Sequence, residues 1–257
     1  MKYPLKSKYF LDYSLTLITA AIFIPIYWVG CFSRGFILIT SNLLFPAIAA
    51  VAVLVSFAAV KRYGWREGLS KAVACLFTAS LCWLSGESAW AFYVLALGVE
   101  SPYPSYADIF FLAGYVAVFL AFFYILRFFG GALPRGKVYL IILMDCLFAL
   151  LVSALIIRPV MASEMDFLEK ALNIVYPLLD IALFTAGLSC LFIFLAGRIG
   201  LAWFFLALSL LMDVAADMLF SYVDALGLYY EGHPVELFYL WAYLLFILGL
   251  RIHLKEL

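Results

Sequence analysis

The chain has 257 residues, of which 68% are hydrophobic and 12% charged, and its 16 basic and 16 acidic side chains cancel to zero net charge. A soluble domain is roughly 45–50% apolar and about 25% charged. No water-soluble core can enclose this much apolar surface, so the composition requires an integral membrane protein. The charge balance gives no reason to expect a nucleic-acid partner. The five cysteines (Cys31, Cys75, Cys82, Cys146 and Cys190) are scattered through apolar runs, without the spacing of a disulfide framework or a zinc site.

A spanning helix needs about 20 mostly apolar residues, and eight runs of that kind follow one another. Lys2, Lys6 and Lys8 precede the first, 10–32, which shows no small-residue cleavage site and reads as an uncleaved span. The others are predicted at 36–60, 70–97, 108–129, 138–160, 172–195, 202–226 and 235–252. Their uniform apolarity excludes barrel strands, which alternate over about ten residues. The expected fold is therefore all-α: one polytopic membrane domain, 1–257, with eight transmembrane helices and no separate soluble domain.

Basic residues orient such a bundle. With a cytoplasmic start, Lys2, Lys6, Lys8, Lys61, Arg62, Arg66, Lys71, Arg127, Arg135, Lys137, Arg198, Arg251 and Lys255 fall inside, and only Arg34, Arg158 and Lys170 outside. The expectation is a cell-membrane protein with both termini cytoplasmic. The outer segments are instead acidic: Glu100, Glu164, Asp166, Glu169, Asp224, Glu231 and Glu236.

The second half of the chain echoes the first. Asp108-Ile-Phe-Phe-Leu-x-x-Tyr115 matches Glu236-Leu-Phe-Tyr-Leu-x-x-Tyr243, 128 positions later. Tyr93-Val-Leu-Ala-Leu-Gly98 matches Tyr222-Val-Asp-Ala-Leu-Gly227 at an offset of 129, and Asn42-Leu-Leu-Phe-Pro46 matches Asn173-Ile-Val-Tyr-Pro177 at 131. Three matches in one order at nearly one offset predict a duplication: a first repeat at about 9–130 and a second at about 137–254. Four spans per repeat is an even number, so the two copies keep the same orientation, related by an axis along the membrane normal.

Charged groups inside a bilayer are costly and face a bundle interior or a wet cavity. Glu87, Asp145, Asp180, Asp213 and Asp217 all lie within predicted spans, and Asp108 and Glu236 open the fourth and eighth. Asp213 and Asp217, four apart, share one helix face. Counting along the helices places Glu87, Asp180, Asp213 and Asp217 between the midplane and the outer surface, Asp108 and Glu236 near that surface, and Asp145 nearer the cytoplasm. No Lys or Arg lies within the central spans, and Arg158 is the nearest candidate counter-ion. Carboxylates sharing one low-dielectric space must share protons, bind a cation or grip a cationic ligand. The alternative is that each acid is protonated and bonds a neighbouring helix as structural glue. Tyr93, Tyr176 and Tyr222 lie near the acids and could donate to them. Tyr103, Tyr106, Tyr229, Tyr230 and Trp241 fit an outer aromatic belt. The ligand-site candidates are thus Glu87, Asp108, Asp180, Asp213, Asp217, Glu236, Tyr93, Tyr176, Tyr222 and Arg158, with no catalytic or metal-ligating residue among them.

Enzyme signals are sparse. Only His233 and His253 are present, Gly86-Glu87-Ser88 is not a nucleophile elbow, and there is no phosphate-cradling glycine loop. Ala107-Asp108-Ile-Phe-Phe-Leu-Ala-Gly114 is similar to an acid-containing run in eight-span lysoplasmalogenase-like enzymes. A wider resemblance covers residues 87–252. Tyr103-Pro-Ser-Tyr-Ala-Asp-Ile-Phe-Phe-Leu-Ala-Gly-Tyr115, Tyr176-Pro-Leu-Leu-Asp180, Ala216-Asp-Met-Leu-Phe-Ser-Tyr222 and Gly227-Leu-Tyr-Tyr-Glu-Gly-His-Pro-Val-Glu236 resemble a polytopic membrane module found ahead of output domains in prokaryotic diguanylate cyclases and some histidine kinases. That resemblance implies a sensory input role. No output domain follows Leu257 in this sequence, so a separate signalling protein is the expected partner beside the lipid bilayer. The expectation is a sensor with an outward-facing acidic and aromatic pocket for a small cationic or lipid-like ligand; no cofactor is indicated. A cation- or proton-coupled transporter is the runner-up, and a lipid-active enzyme stands third.

Overall fold

The computed structural model describes residues 8–63, 68–99, 103–195 and 200–256. Lys2, Lys6, Arg66, Glu100 and Arg198 of the charge argument lie outside the described residues. Every regular element among those described is helical. The spans are α1 Phe10–Gly30, α2 Arg34–Tyr63, α3 Leu69–Leu97, α4 Ala107–Phe129, α5 Arg135–Ala162, α6 Phe167–Phe194, α7 Leu201–Ala225 and α8 Glu236–Glu256. All eight are long and apolar enough to cross a membrane, and this is a multi-pass integral membrane protein. Lipid offers no partner for backbone N–H and C=O groups, so each crossing segment must satisfy its own. The shortest spans, of 21 residues, are about 31 Å long, enough for a hydrocarbon core of about 30 Å.

Local chemistry sets the interruptions. α3 ends on Gly98 at φ +67°, whose N–H returns to the Tyr93 carbonyl, and α7 is followed by Gly227 at φ +66°. Glycine takes this left-handed conformation without the Cβ penalty. Within α5 the backbone widens into one π turn at Ser153–Ile157. Pro159, two residues on, lacks the N–H an α-helix would donate to Leu155 and crowds that carbonyl.

Six spans close into a ring. α2 packs on α3, α3 on α4, α4 on α6, α6 on α7, α7 on α8, and α8 back on α2. α1 packs outside this ring on α8 and α2, and α5 outside it on α6 and, through its π turn, on α7. The exposure of the two outer helices agrees: 17% of the most apolar window of α1 and of α5 is buried, against 33–44% in the ring helices. Small residues let ring helices approach closely, as membrane helix pairs require. A Cβ on Gly249 of α8 would stand 3.0 Å from the Ala202 carbonyl oxygen of α7, and one on Gly86 of α3 would meet the Phe111 ring of α4 at 2.5 Å.

Eight spans return the chain to the side it started from, so both termini share one side of the bundle. There Asp12 of α1, its side chain buried, is bound by Arg251 Nε at 2.8 Å and by Lys255 Nζ, both from α8. Leu76, Val118, Ile125, Leu206 and Leu250, each at most 2% exposed, fill the ring's middle and terminal side.

Candidate functional site

On the opposite side the ring does not close on itself. It encloses a cavity of ≈ 190 Å³ to which all six ring helices contribute, together with Tyr103, Tyr229 and Glu231 from the loops preceding α4 and α8. No lining residue comes from α1 or α5. Six carboxyl side chains line the cavity: Glu87, Asp108, Asp213, Asp217, Glu231 and Glu236. No Lys, Arg or His is among the lining residues. Trp83, Trp90 and six tyrosines (Tyr103, Tyr115, Tyr176, Tyr229, Tyr239 and Tyr243) supply most of the remaining polar edge.

Five of the six acids enter from helices, and Glu231 from the loop before α8. Asp108 and Glu236 occupy the first turns of α4 and α8, where unpaired N–H groups and the helix dipole favour an anion. Each folds back to the loop preceding it: Asp108 Oδ2 accepts from Ser105 N at 2.7 Å, and Glu236 Oε1 from Gly232 N at 2.6 Å. Glu236 also accepts from Tyr27 (2.7 Å), Ser41 (2.5 Å) and Tyr229 (3.0 Å), and Asp108 accepts from Tyr176 at 2.9 Å. Glu231 accepts from Asn42 Nδ2 at 2.9 Å and Trp90 Nε1 at 3.1 Å, which ties its loop to α2 and α3. Deeper in, Tyr243 of α8 donates to Glu87 of α3 at 3.0 Å. Tyr115 of α4 reaches Asp217 of α7 at 2.6 Å and Asp180 of α6 at 2.7 Å, and Tyr239 donates to Asp217 at 2.7 Å. Asp213 lies on the cavity wall one turn before Asp217.

Of the residues expected at a site, Glu87, Asp108, Asp213, Asp217, Glu236 and Tyr176 line this cavity. Asp180 is wholly buried behind Tyr115 and does not line it. Three others are placed elsewhere. Arg158 is exposed on α5, outside the ring, and supplies no counter-ion. Tyr222 is 42% exposed, five residues along α7 from Asp217 and so turned well away on a helix of 3.6 residues per turn. Tyr93 is six residues from Glu87 on α3 and is likewise not among the lining residues. Asp145 keeps apart, as its depth implied, accepting from Thr185 of α6 at 2.5 Å.

Sequence reasoning passed over the tyrosines that organise the acids. Tyr115 and Tyr243 end the two matching motifs, and that shared position was the available signal. Tyr103 and Tyr229, assigned to an outer belt, turn inward. Burial first, then the Asp108 carboxyl near Tyr103 and the Glu236 and Glu231 carboxyls near Tyr229, raise both phenol pKa values, so both remain hydroxyl donors through neutral pH. Trp241, also assigned to the belt, donates to the Ala20 carbonyl oxygen of α1 at 3.4 Å.

The chemistry open to this cavity is that of acceptors. Ser41 donates to Glu236 and Ser209 to the Ala242 carbonyl, and no lining imidazole is available to activate a serine. Among the described residues no three His, Cys, Asp or Glu side chains are grouped to hold a metal ion. The carboxyl groups can exchange protons, and the aromatic faces beside them offer cation–π contact. No family model, curated protein or solved structure matches this chain.

Proposed function

We propose that this membrane protein is a receptor for a small organic cation, bound in the ring cavity, whose occupancy is passed to a separate signalling protein. The observation that carries the reading is the lining itself: six carboxyl groups and eight Tyr and Trp side chains with no basic residue among them. A positively charged amine would gain carboxylate contacts and cation–π attraction there, while an anion would meet only repulsion. The far end supports binding over conduction, because Leu76, Val118, Phe122, Leu206 and Phe246 form an apolar floor before the terminal side is reached. The resemblance to membrane input modules of cyclases and kinases supports a sensory output, and the distribution of basic residues supports cytoplasmic termini in a cell membrane.

We also infer that the receptor arose by duplication of a four-helix unit. Reciprocal contacts support this. Tyr243 of the second half reaches Glu87 of the first, and Tyr115 of the first reaches Asp217 of the second. Asn42 pairs with Glu231 of the loop before α8, and its counterpart Asn173 with Tyr103 of the loop before α4. The ring order α2–α3–α4–α6–α7–α8 maps onto itself when the halves are exchanged.

The test is calorimetric titration of the protein in lipid nanodiscs with choline, tetramethylammonium and short alkylamines, each beside a neutral isostere. At least one cation should bind saturably and its isostere should not. Glu87→Gln and Asp213→Asn should each weaken binding about tenfold or more, roughly 1.4 kcal/mol. Absence of any cation binding, or unchanged affinity in both variants, overturns the reading.

A further inference from the structure

Tyr115, Asp180 and Asp217 pose a problem of proton counting. The Tyr115 hydroxyl oxygen lies 2.7 Å from Asp180 Oδ1 and 2.6 Å from Asp217 Oδ2, and the Tyr239 hydroxyl lies 2.7 Å from Asp217 Oδ1. Contacts this short between oxygens are hydrogen bonds, and each needs one proton. A phenol carries one donor hydrogen, so two hydroxyls supply two protons for three contacts. An ionised carboxylate accepts only; the third proton therefore belongs to a carboxyl.

A second observation falls on the same groups. Asp180 exposes 0% of its surface, and its Oδ2 has no donor within reach. The Asp180 and Asp217 carboxyl groups are nevertheless brought together on one hydroxyl, that of Tyr115. A fully buried carboxylate oxygen left bare, beside a second carboxylate, is the costly arrangement that one shared proton removes. The surroundings offer no other compensation. The facing titratable groups are Tyr115 from α4, Tyr176 from α6, Tyr239 and Tyr243 from α8, Glu87 from α3 and Asp213 on α7 itself, all acids or phenols.

We propose that Asp180, Tyr115 and Asp217 form a proton-binding site that holds one exchangeable proton at neutral pH and opens to the cavity through Asp217. Asp217 and Tyr115 line the cavity while Asp180 lies behind them, so the proton leaves a carboxyl O–H for cavity water by way of Asp217. A cation entering beside Asp213 and Asp217 would then replace one positive charge by another. The site rests on its own geometry; the cation reading supplies only its use, and amine binding can fail while the proton site stands.

The test is infrared difference spectroscopy of the full chain in nanodiscs, following the C=O stretch of protonated carboxyl groups. At neutral pH that band should be present, shift in D₂O and decline as the medium is made alkaline. Asp180→Asn and Asp217→Asn should each remove the intensity of one carboxyl, and the double variant should remove no more than either single one, because the proton is shared. Asp12→Asn, at the ion pair with Arg251 and Lys255, should leave the band unchanged. Intensity that survives in both single variants overturns the proposal, as does a double variant that loses twice what each single one loses. Should Asp180→Asn fail to fold, Asp217→Asn at the cavity wall decides alone: loss of one carboxyl supports the site and full retention overturns it.

Discussion

Glu236 accepts four hydrogen bonds, from Tyr27, Ser41, Tyr229 and the Gly232 backbone, drawn from α1, α2 and its own loop. A carboxyl group so enclosed is a structural joint as well as part of the cavity wall. Asp12 plays the corresponding part at the other end, where its buried side chain joins Arg251 and Lys255 of α8 to α1. α1, like α5, is a span with little buried surface, so this joint carries much of its attachment. Asp12→Ala should leave two cations without their acceptor and lower stability by about 1.5–3 kcal/mol, the worth of hydrogen bonds to a charged group. A fall in the detergent-solubilised melting temperature measures it. A melting point unchanged from the parent would place the attachment of α1 elsewhere.

At the scale of elements, the loop 226–235 between α7 and α8 is fastened at several points over the cavity. Glu231 reaches α2 and α3, the guanidinium of Arg34 on α2 lies 3.4 Å from the Tyr230 ring centre, and His233 Nδ1 accepts from Val235 N at 3.1 Å. Burial, and to a lesser degree Arg34, hold the His233 pKa below its usual value. A depressed histidine favours the folded loop above the ordinary pKa of about 6.5 and loses that contribution as pH falls through the lower, folded value. Protonation of Nδ1 also removes the acceptor for Val235. Acidification from about pH 7 to below the ordinary histidine range should therefore lower the amide protection factors, taken relative to the intrinsic exchange rate at each pH, across 226–235 while leaving the α7 and α8 interiors protected. His233→Asn should abolish that acid sensitivity, and equal sensitivity in both proteins would assign it to another group. The eight helices and most of their limits were legible in the sequence, because length and apolarity alone decide what can cross lipid. The π turn in α5 was not, since a Pro inside a span fixes that a hydrogen bond is lost but not how the backbone absorbs the loss.

For the whole molecule, the orientation proposed from the basic residues carries a topological consequence. Reporter fusions after Lys61 and Lys137 should read cytoplasmic, and fusions after Glu164 and Gly232 external. An external reading after Lys137 would overturn the proposed relation between the halves, because that joint separates them. Composition and hydropathy by themselves determined that this is a membrane bundle of eight helices. The bilayer penalises a lipid-facing charge by at least about 2.5–3.5 kcal/mol on insertion scales, so an acid within a span is driven toward a neighbouring helix or an enclosed space. The tertiary structure alone decided which helices form the ring and which stand outside it, and hence that Arg158 and Tyr222 miss the cavity while Tyr115, Tyr239 and Tyr243 reach its acids. Helix periodicity says which residues share a face, but in an almost uniformly apolar span nearly every face could meet a neighbour or lipid. Only the packing of small residues such as Gly86 and Gly249 against particular partners selects the face that turns inward.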